Sequence, residues 1–120
     1  MRVFKNSWFS RFAAKEAISD DELRDIVGQL EAGQADADLG GHVYKQRIPR
    51  PGEGKAGGYR VIVFFRSRDK TFFPFGFPKS EMANISEKEL RYYKKLAKRY
   101  LVMSEEQLKV ALKAGEFIEI

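Results

Sequence analysis

Apolar and polar positions recur along this chain in two rhythms, one helical and one alternating, and together they predict most of its elements. Arg2 to Lys5 reads as a short strand. Trp8, Phe9, Phe12 and Ala13 then recur at helical spacing, which predicts a first helix ending near Ala17. Ser19-Asp20-Asp21-Glu22 is a capping box, in which the Ser19 hydroxyl and the Glu22 carboxylate satisfy N–H groups left unpaired at a helix start. Leu23, Ile26, Val27 and Leu30 follow on one helical face, so a second helix runs to about Ala32 and stops at Gly33. Gln34 to Gly41 reads as a loop.

The rhythm then changes. Val43 to Ile48 alternates, with Lys45 and Arg47 on one face and Tyr44 and Ile48 on the other. Pro49 to Gly57, with two Pro and three Gly, is loop by composition. Gly58 to Arg66 is a strand rich in β-branched and aromatic residues, and Ser67-Arg68-Asp69 turns the chain into a third strand, Lys70 to Phe77. Pro74 has no N–H to give to a ladder, so this strand is expected at an edge or with a bulge there. Ser86-Glu87-Lys88-Glu89 and Ser104-Glu105-Glu106-Gln107 are two more capping boxes. The first opens a helix with Leu90, Tyr93, Leu96 and Ala97 inward, and the second opens a short helix ending at Gly115. Glu116 to Ile120 is open between a last strand and a tail.

Charge adds a location to this pattern. Residues 41–80 hold nine Lys/Arg against two Asp/Glu, a net +7, whereas residues 1–40 carry net −3 and residues 81–120 net +1. The strand-rich block is therefore also the basic block, which suggests a sheet presenting a cationic surface to something anionic. At 120 residues and 43% hydrophobic content, one domain with a single core is expected. No cysteine means no disulfide and no Cys-ligated metal. The first residues alternate charge and aromatics without an apolar run, and the longest apolar run, Val61 to Phe65, is too short to span a bilayer. A soluble, cytoplasmic protein with no membrane partner is expected.

Several motif matches fail on context. Gly52-Glu53-Gly54-Lys55-Ala56-Gly57 fits G-x-G-x-x-G, but a dinucleotide fingerprint needs a helix after the glycines and a strand follows here. Gly54-Lys55 is not a P-loop: Ala56 replaces the Ser/Thr that binds magnesium, and Pro49 stands at the first glycine position. What survives is Lys55 on a loop whose backbone can approach a phosphate closely. His42 is the only histidine, and Glu53 and Asp69 are the only acids between Lys45 and Lys79, so no metal site and no cofactor are expected.

The basic constellation is the candidate site. Lys45 and Arg47 share a strand face, Arg60 begins the next strand and Lys79 ends the third, with Tyr59 and Phe residues interleaved. Arg50, Lys55, Arg66, Arg68 and Lys70 complete the block and are expected to bind RNA. Taken with K-Q-R-I at 45–48, G-x-G-K-x-G-G-Y-R at 52–60, G-F-P-K at 76–79 and N-I-S-x-x-E-L at 84–90, the chain resembles the RelE-type toxins of the RelE/ParE superfamily of bacterial toxin–antitoxin modules. The resemblance implies an α+β domain over residues 1–120, with two N-terminal helices packed on a small antiparallel sheet and helices at the C-terminus. It also implies a ribosome-dependent mRNA endoribonuclease that inhibits translation and is neutralised by a cognate antitoxin. Partners would then be the antitoxin, mRNA and the ribosome. ParE-like relatives, which share the fold, instead inhibit DNA gyrase by binding, and a relative that only binds its antitoxin is a third alternative.

By that resemblance Arg47 and Arg60 match the family's strand arginines, and Lys79 matches the first basic residue of an F-x-K-K-like ending, where Ser80 replaces the second lysine. No C-terminal tyrosine matches the general acid of some relatives. Metal-free chemistry fits these residues, because attack by a ribose 2′-OH builds charge on phosphoryl oxygens that fixed guanidinium groups stabilise. A lysine crowded by cations gives up its proton more readily and can act as base, and Lys45 is the candidate. The proton donor to the leaving oxygen is open between Tyr59 and Lys79.

Overall fold

The computed structural model describes residues 1–50, 57–79 and 84–120. It is α+β, with four helices and a six-stranded mixed sheet. The elements in chain order are β1 (Arg2–Asn6), α1 (Ser7–Lys15), α2 (Asp20–Glu31), β2 (Ala37–Asp38), β3 (Val43–Ile48), β4 (Tyr59–Phe65), β5 (Lys70–Pro78), α3 (Glu87–Leu101), α4 (Glu105–Lys113) and β6 (Phe117–Glu119). The sheet order is β2-β3-β4-β5-β1-β6. An antiparallel sheet was expected, but β1 runs parallel to β5. The reason is topological: α1 and α2 carry the chain from β1 to the far edge, and three antiparallel strands then lead back beside it. The C-terminal segment is a strand, pairing antiparallel with β1.

Helix starts follow the capping chemistry. All three capping boxes form: Glu22 N–H donates to Ser19 Oγ, Glu89 N–H to Ser86 Oγ and Gln107 N–H to Ser104 Oγ, each at 3.1 Å. The helix α2 ends ahead of Gly33, whose φ of +76° is a conformation that glycine adopts without strain. Apolar residues divide between the two faces of the sheet. On one, Phe9 and Ala13 of α1 and Leu23, Ile26, Val27 and Leu30 of α2 cluster with Val61, Val63, Phe65 and Phe73. On the other, Tyr93, Ala97 and Leu101 of α3 and Leu108 and Ala111 of α4 cluster with Phe4, Ile62, Phe64 and Phe72. Trp8 stays 39% exposed, its ring centroid 4.5 Å from that of Phe75 and 5.3 Å from that of Phe12.

Pro74 answers its expectation with a bulge. Phe64 pairs with Phe72, but Ile62 pairs with Phe75, so Val63 alone spans Phe73 and Pro74. The extra residue reverses the alternation of β5. Before it, Phe72 faces α3 and Phe73 faces α1; after it, Phe75 and Phe77 lie opposite Ile62 and Arg60 on the α3 face. Gly76 is turned toward α1, where a Cβ would stand 2.6 Å from Phe12 Cε2. Pairing with β1 stops at Phe73, and Asn6 fills the gap. Its Nδ2 donates to the Pro74 carbonyl at 3.0 Å, while its Oδ1 caps α1 by accepting from Phe9 N–H at 2.8 Å. Asn6→Ala removes these bonds, together with a longer one from Nδ2 to the Tyr100 hydroxyl at 3.4 Å, and should cost about 2 kcal/mol in urea unfolding. Asn6→Ser keeps a capping oxygen without the amide donor and should recover roughly half of that loss.

Candidate functional site

Strand register decides which basic residues meet. Arg47 lies directly opposite Arg60, and Arg60 opposite Phe77, so one row across three strands reads Arg47–Arg60–Phe77. The next row, about 7 Å further along the strands, reads Lys45–Ile62–Phe75. Lys79 continues the Phe77 side of β5, its N–H donating to Gly58 O at 3.1 Å. Lys45, Arg47, Arg60 and Lys79 therefore share the α3 face of the sheet.

Within that face the two arginines differ. Arg60 is 9% exposed, and its Nη1 donates to the Tyr59 carbonyl at 3.3 Å. Burial, and then the neighbouring Arg47 charge, push its pKa below the ordinary guanidinium value, while Asp36 acts in the opposite direction. The Arg47 side chain is 51% exposed and pairs with Asp36, its Nη2 donating to Oδ1 at 3.3 Å. The other Asp36 oxygen accepts the Arg47 backbone N–H at 2.8 Å. Asp36 is itself tethered: its N–H donates to the Oε1 of fully buried Gln46 at 2.6 Å, and Gln46 Nε2 donates to Gln29 Oε1 of α2 at 3.0 Å.

The other expected site residues lie elsewhere. Tyr59 alternates to the opposite face from Arg60, where its hydroxyl donates to Glu16 Oε2 at 2.7 Å and its ring meets Phe12 edge-on. The Glu16 hydrogen bond, and then burial, hold its pKa above the usual phenol value. Arg50 stacks its guanidinium 4.6 Å from that ring, donates to the Glu16 carbonyl and pairs with Glu22 at 3.7 Å. Tyr59 and Arg50 thus clasp the sheet to the turn between α1 and α2 rather than joining the cationic face. Arg66, Arg68 and Lys70 sit at the opposite end of the β4–β5 hairpin, six strand residues and about 20 Å from Arg60. There Arg66 donates to Asp69 and to the Leu101 carbonyl at 2.8 Å, closing the end of α3. Lys70 pairs with Asp69 at 3.1 Å and Glu105 at 3.5 Å, and Arg68 is exposed in the turn. Lys55, Glu53 and Ser80 lie outside the described residues.

Two features went unread in the sequence. Asp36 and Gln46 reach the site only through sheet pairing, and no local pattern marks them. The second feature is α3, which carries Lys88, Arg91, Lys94, Lys95, Lys98 and Arg99 on the same side of the sheet as Arg60, none in an ion pair among the described residues. Helical periodicity would have found this stripe, but the acids that open α3 and α4 cancel it in a segment sum. Among the described residues no three His, Cys, Asp or Glu side chains converge on a point.

A family model described as the RelE toxin of the RelE/RelB toxin–antitoxin system matches residues 1–120, the whole chain. The chain belongs to the RelE toxin family. None of the curated proteins matches it. A RelE toxin is one half of a toxin–antitoxin pair, so its partner is an antitoxin. No helix among the described residues is long and apolar enough to cross a membrane. For this RelE-family toxin, Tyr59→Phe should cost about 1 kcal/mol of stability through the lost Glu16 bond. It should still arrest growth at equal protein level, and loss of toxicity in a folded Tyr59→Phe protein would return Tyr59 to the site.

Proposed function

We propose that this toxin is a metal-independent mRNA endoribonuclease acting on ribosome-bound message, and that the Lys45–Arg47–Arg60–Lys79 face is its site. The observation that carries the reading is the direct pairing of Arg47 with Arg60, flanked on the same face by two lysines. Like charges directly opposite on a ladder destabilise a sheet, so folding alone does not favour this arrangement. A bound phosphate relieves the repulsion.

The chemistry follows from charge. Attack of a ribose 2′-OH on the adjacent phosphorus forms a new P–O bond and breaks the bond to the 5′ oxygen, leaving a 2′,3′-cyclic phosphate. Negative charge grows on the non-bridging oxygens, and each guanidinium aimed at them contributes about 3–4 kcal/mol. Lys45 takes the 2′-OH proton, and Lys79 gives one to the departing 5′ oxygen. With Tyr59 clasped to Glu16 on the other face, Lys79 is the stronger of the two donor candidates. The antitoxin neutralises the toxin by covering this face with acidic and apolar residues, which ties inhibition to charge complementarity.

Expression of the toxin followed by mapping of RNA ends tests the mechanism. Fragments should carry a 2′,3′-cyclic phosphate or 3′-phosphate on one side of the cut and a 5′-OH on the other. RNA with 2′-deoxy or 2′-O-methyl at the scissile nucleotide should bind and survive. Arg60→Ala should lower cleavage by roughly 100-fold or more and relieve growth arrest. Fragments with 5′-phosphate and 3′-OH ends would defeat the mechanism, and a block of DNA supercoiling without RNA cleavage would put gyrase in its place.

A further inference from the structure

Asp36 is an unexpected group to find beside a phosphate site. Among the described residues it makes the ion pair of Arg47, and it is the carboxylate that acts on Arg60. It is not a loose surface acid, because Gln46, fully buried and bonded through to Gln29 of α2, fixes its main chain from the far side of the sheet. Its two oxygens do different things. Oδ2 holds the Arg47 backbone N–H at 2.8 Å and anchors the carboxylate to β3, while Oδ1 takes the guanidinium at the longer 3.3 Å. The second bond can open without the first, and both partners are reachable from solvent, Asp36 being 30% and Arg47 51% exposed at the side chain.

We propose that Asp36 is a positioning residue, a built-in counter-ion that holds the Arg47 guanidinium beside Arg60 in the empty toxin and yields it to the RNA phosphate. The inference rests on the reading of the Arg47–Arg60 face as the phosphate site. It makes Asp36 a competitor of the substrate. In the free protein the carboxylate offsets the repulsion between two arginines at one cross-strand position. When RNA binds, a phosphate oxygen replaces Oδ1 on the guanidinium, while Oδ2 stays on the Arg47 backbone N–H and keeps the carboxylate beside the side chain, where it limits the swing of the guanidinium as the exchange occurs.

Asp36→Asn separates charge from anchoring, since the amide oxygen still accepts the Arg47 N–H. The probe is a single-stranded RNA with 2′-O-methyl groups throughout, titrated over a range of salt with folding checked by circular dichroism. Affinity should rise, by about 5-fold at low salt, because the competing charge is gone. The slope of log affinity against log salt should steepen by about 0.7, one additional charge acting on the strand. Turnover of cleavable message should nevertheless fall about 10-fold, as Arg47 is no longer held in line, and the melting temperature should drop. Tighter binding with slower turnover is an outcome that loss of a merely structural contact does not produce. Unchanged or weaker RNA affinity with an unchanged salt slope overturns the role given to Asp36 while leaving the site in place. If instead Arg47→Ala and Arg60→Ala bind RNA as well as the wild type does, the site reading fails and this inference falls with it.

Discussion

The missing N–H of Pro74 is the constraint on which the most of this structure turns. A strand that meets a proline must give up a ladder bond at that point, and β5 does so with one extra residue opposite Val63. Everything beyond then faces the other way. Without the bulge, Gly76 and Pro78 would point toward α3, while Phe77 and Lys79 would point into the α1 side. With it, Lys79 follows Phe77 onto the face of Arg60, and Gly76 gives Phe12 room to pack. The same break releases the Pro74 carbonyl, which Asn6 takes while capping α1. One residue thus ends the β1–β5 pairing, offers its carbonyl to the residue that caps the first helix, and selects the composition of the candidate site.

The site shows the opposite logic from the core. The two apolar clusters are made of residues that gain by leaving water, and each face of the sheet has its helices to cover them. The Arg47–Arg60 row gains nothing comparable: it pairs like charges and draws one of them into 9% exposure. The protein offsets this with an acid held through the sheet by Gln46, a buried polar side chain whose bonds are made to Gln29 and Asp36. Charge repulsion retained at one place and offset by an acid held from behind the sheet is the pattern expected where a ligand completes the electrostatics. The basic residues of α3, in no ion pair among the described residues, lie on this same side, so the cationic character of the molecule extends past the strands that carry the arginines.

Local chemistry made much of the fold legible in advance. Ser19, Ser86 and Ser104, each followed at the third position by Glu or Gln, marked three helix starts that form as read. Alternation in Val43–Ile48 and the β-branched run of β4 marked two strands, and period two already put Lys45 and Arg47 on one face of the first. The α1 start was not legible, because Asn6 acts at once as strand end and cap. The parallel pairing of β1 with β5 was not legible either, since nothing within either strand says which neighbour it will take.

The sequence by itself determined the starts of α2, α3 and α4, the strand alternation, an edge or a bulge at Pro74 and the concentration of cations between Val43 and Lys79, because each depends on residues close in the chain. Tertiary structure alone decided which cations meet. Register set Arg47 against Arg60, the direction of the bulge brought Lys79 to them, and alternation across Gly58–Tyr59–Arg60 sent Tyr59 to Glu16 on the other side. Asp36 joined the site from eleven residues away through β2–β3 pairing. These outcomes rest on contacts between distant segments, where a shift of one residue exchanges the two faces of a strand, and no local pattern carries that information.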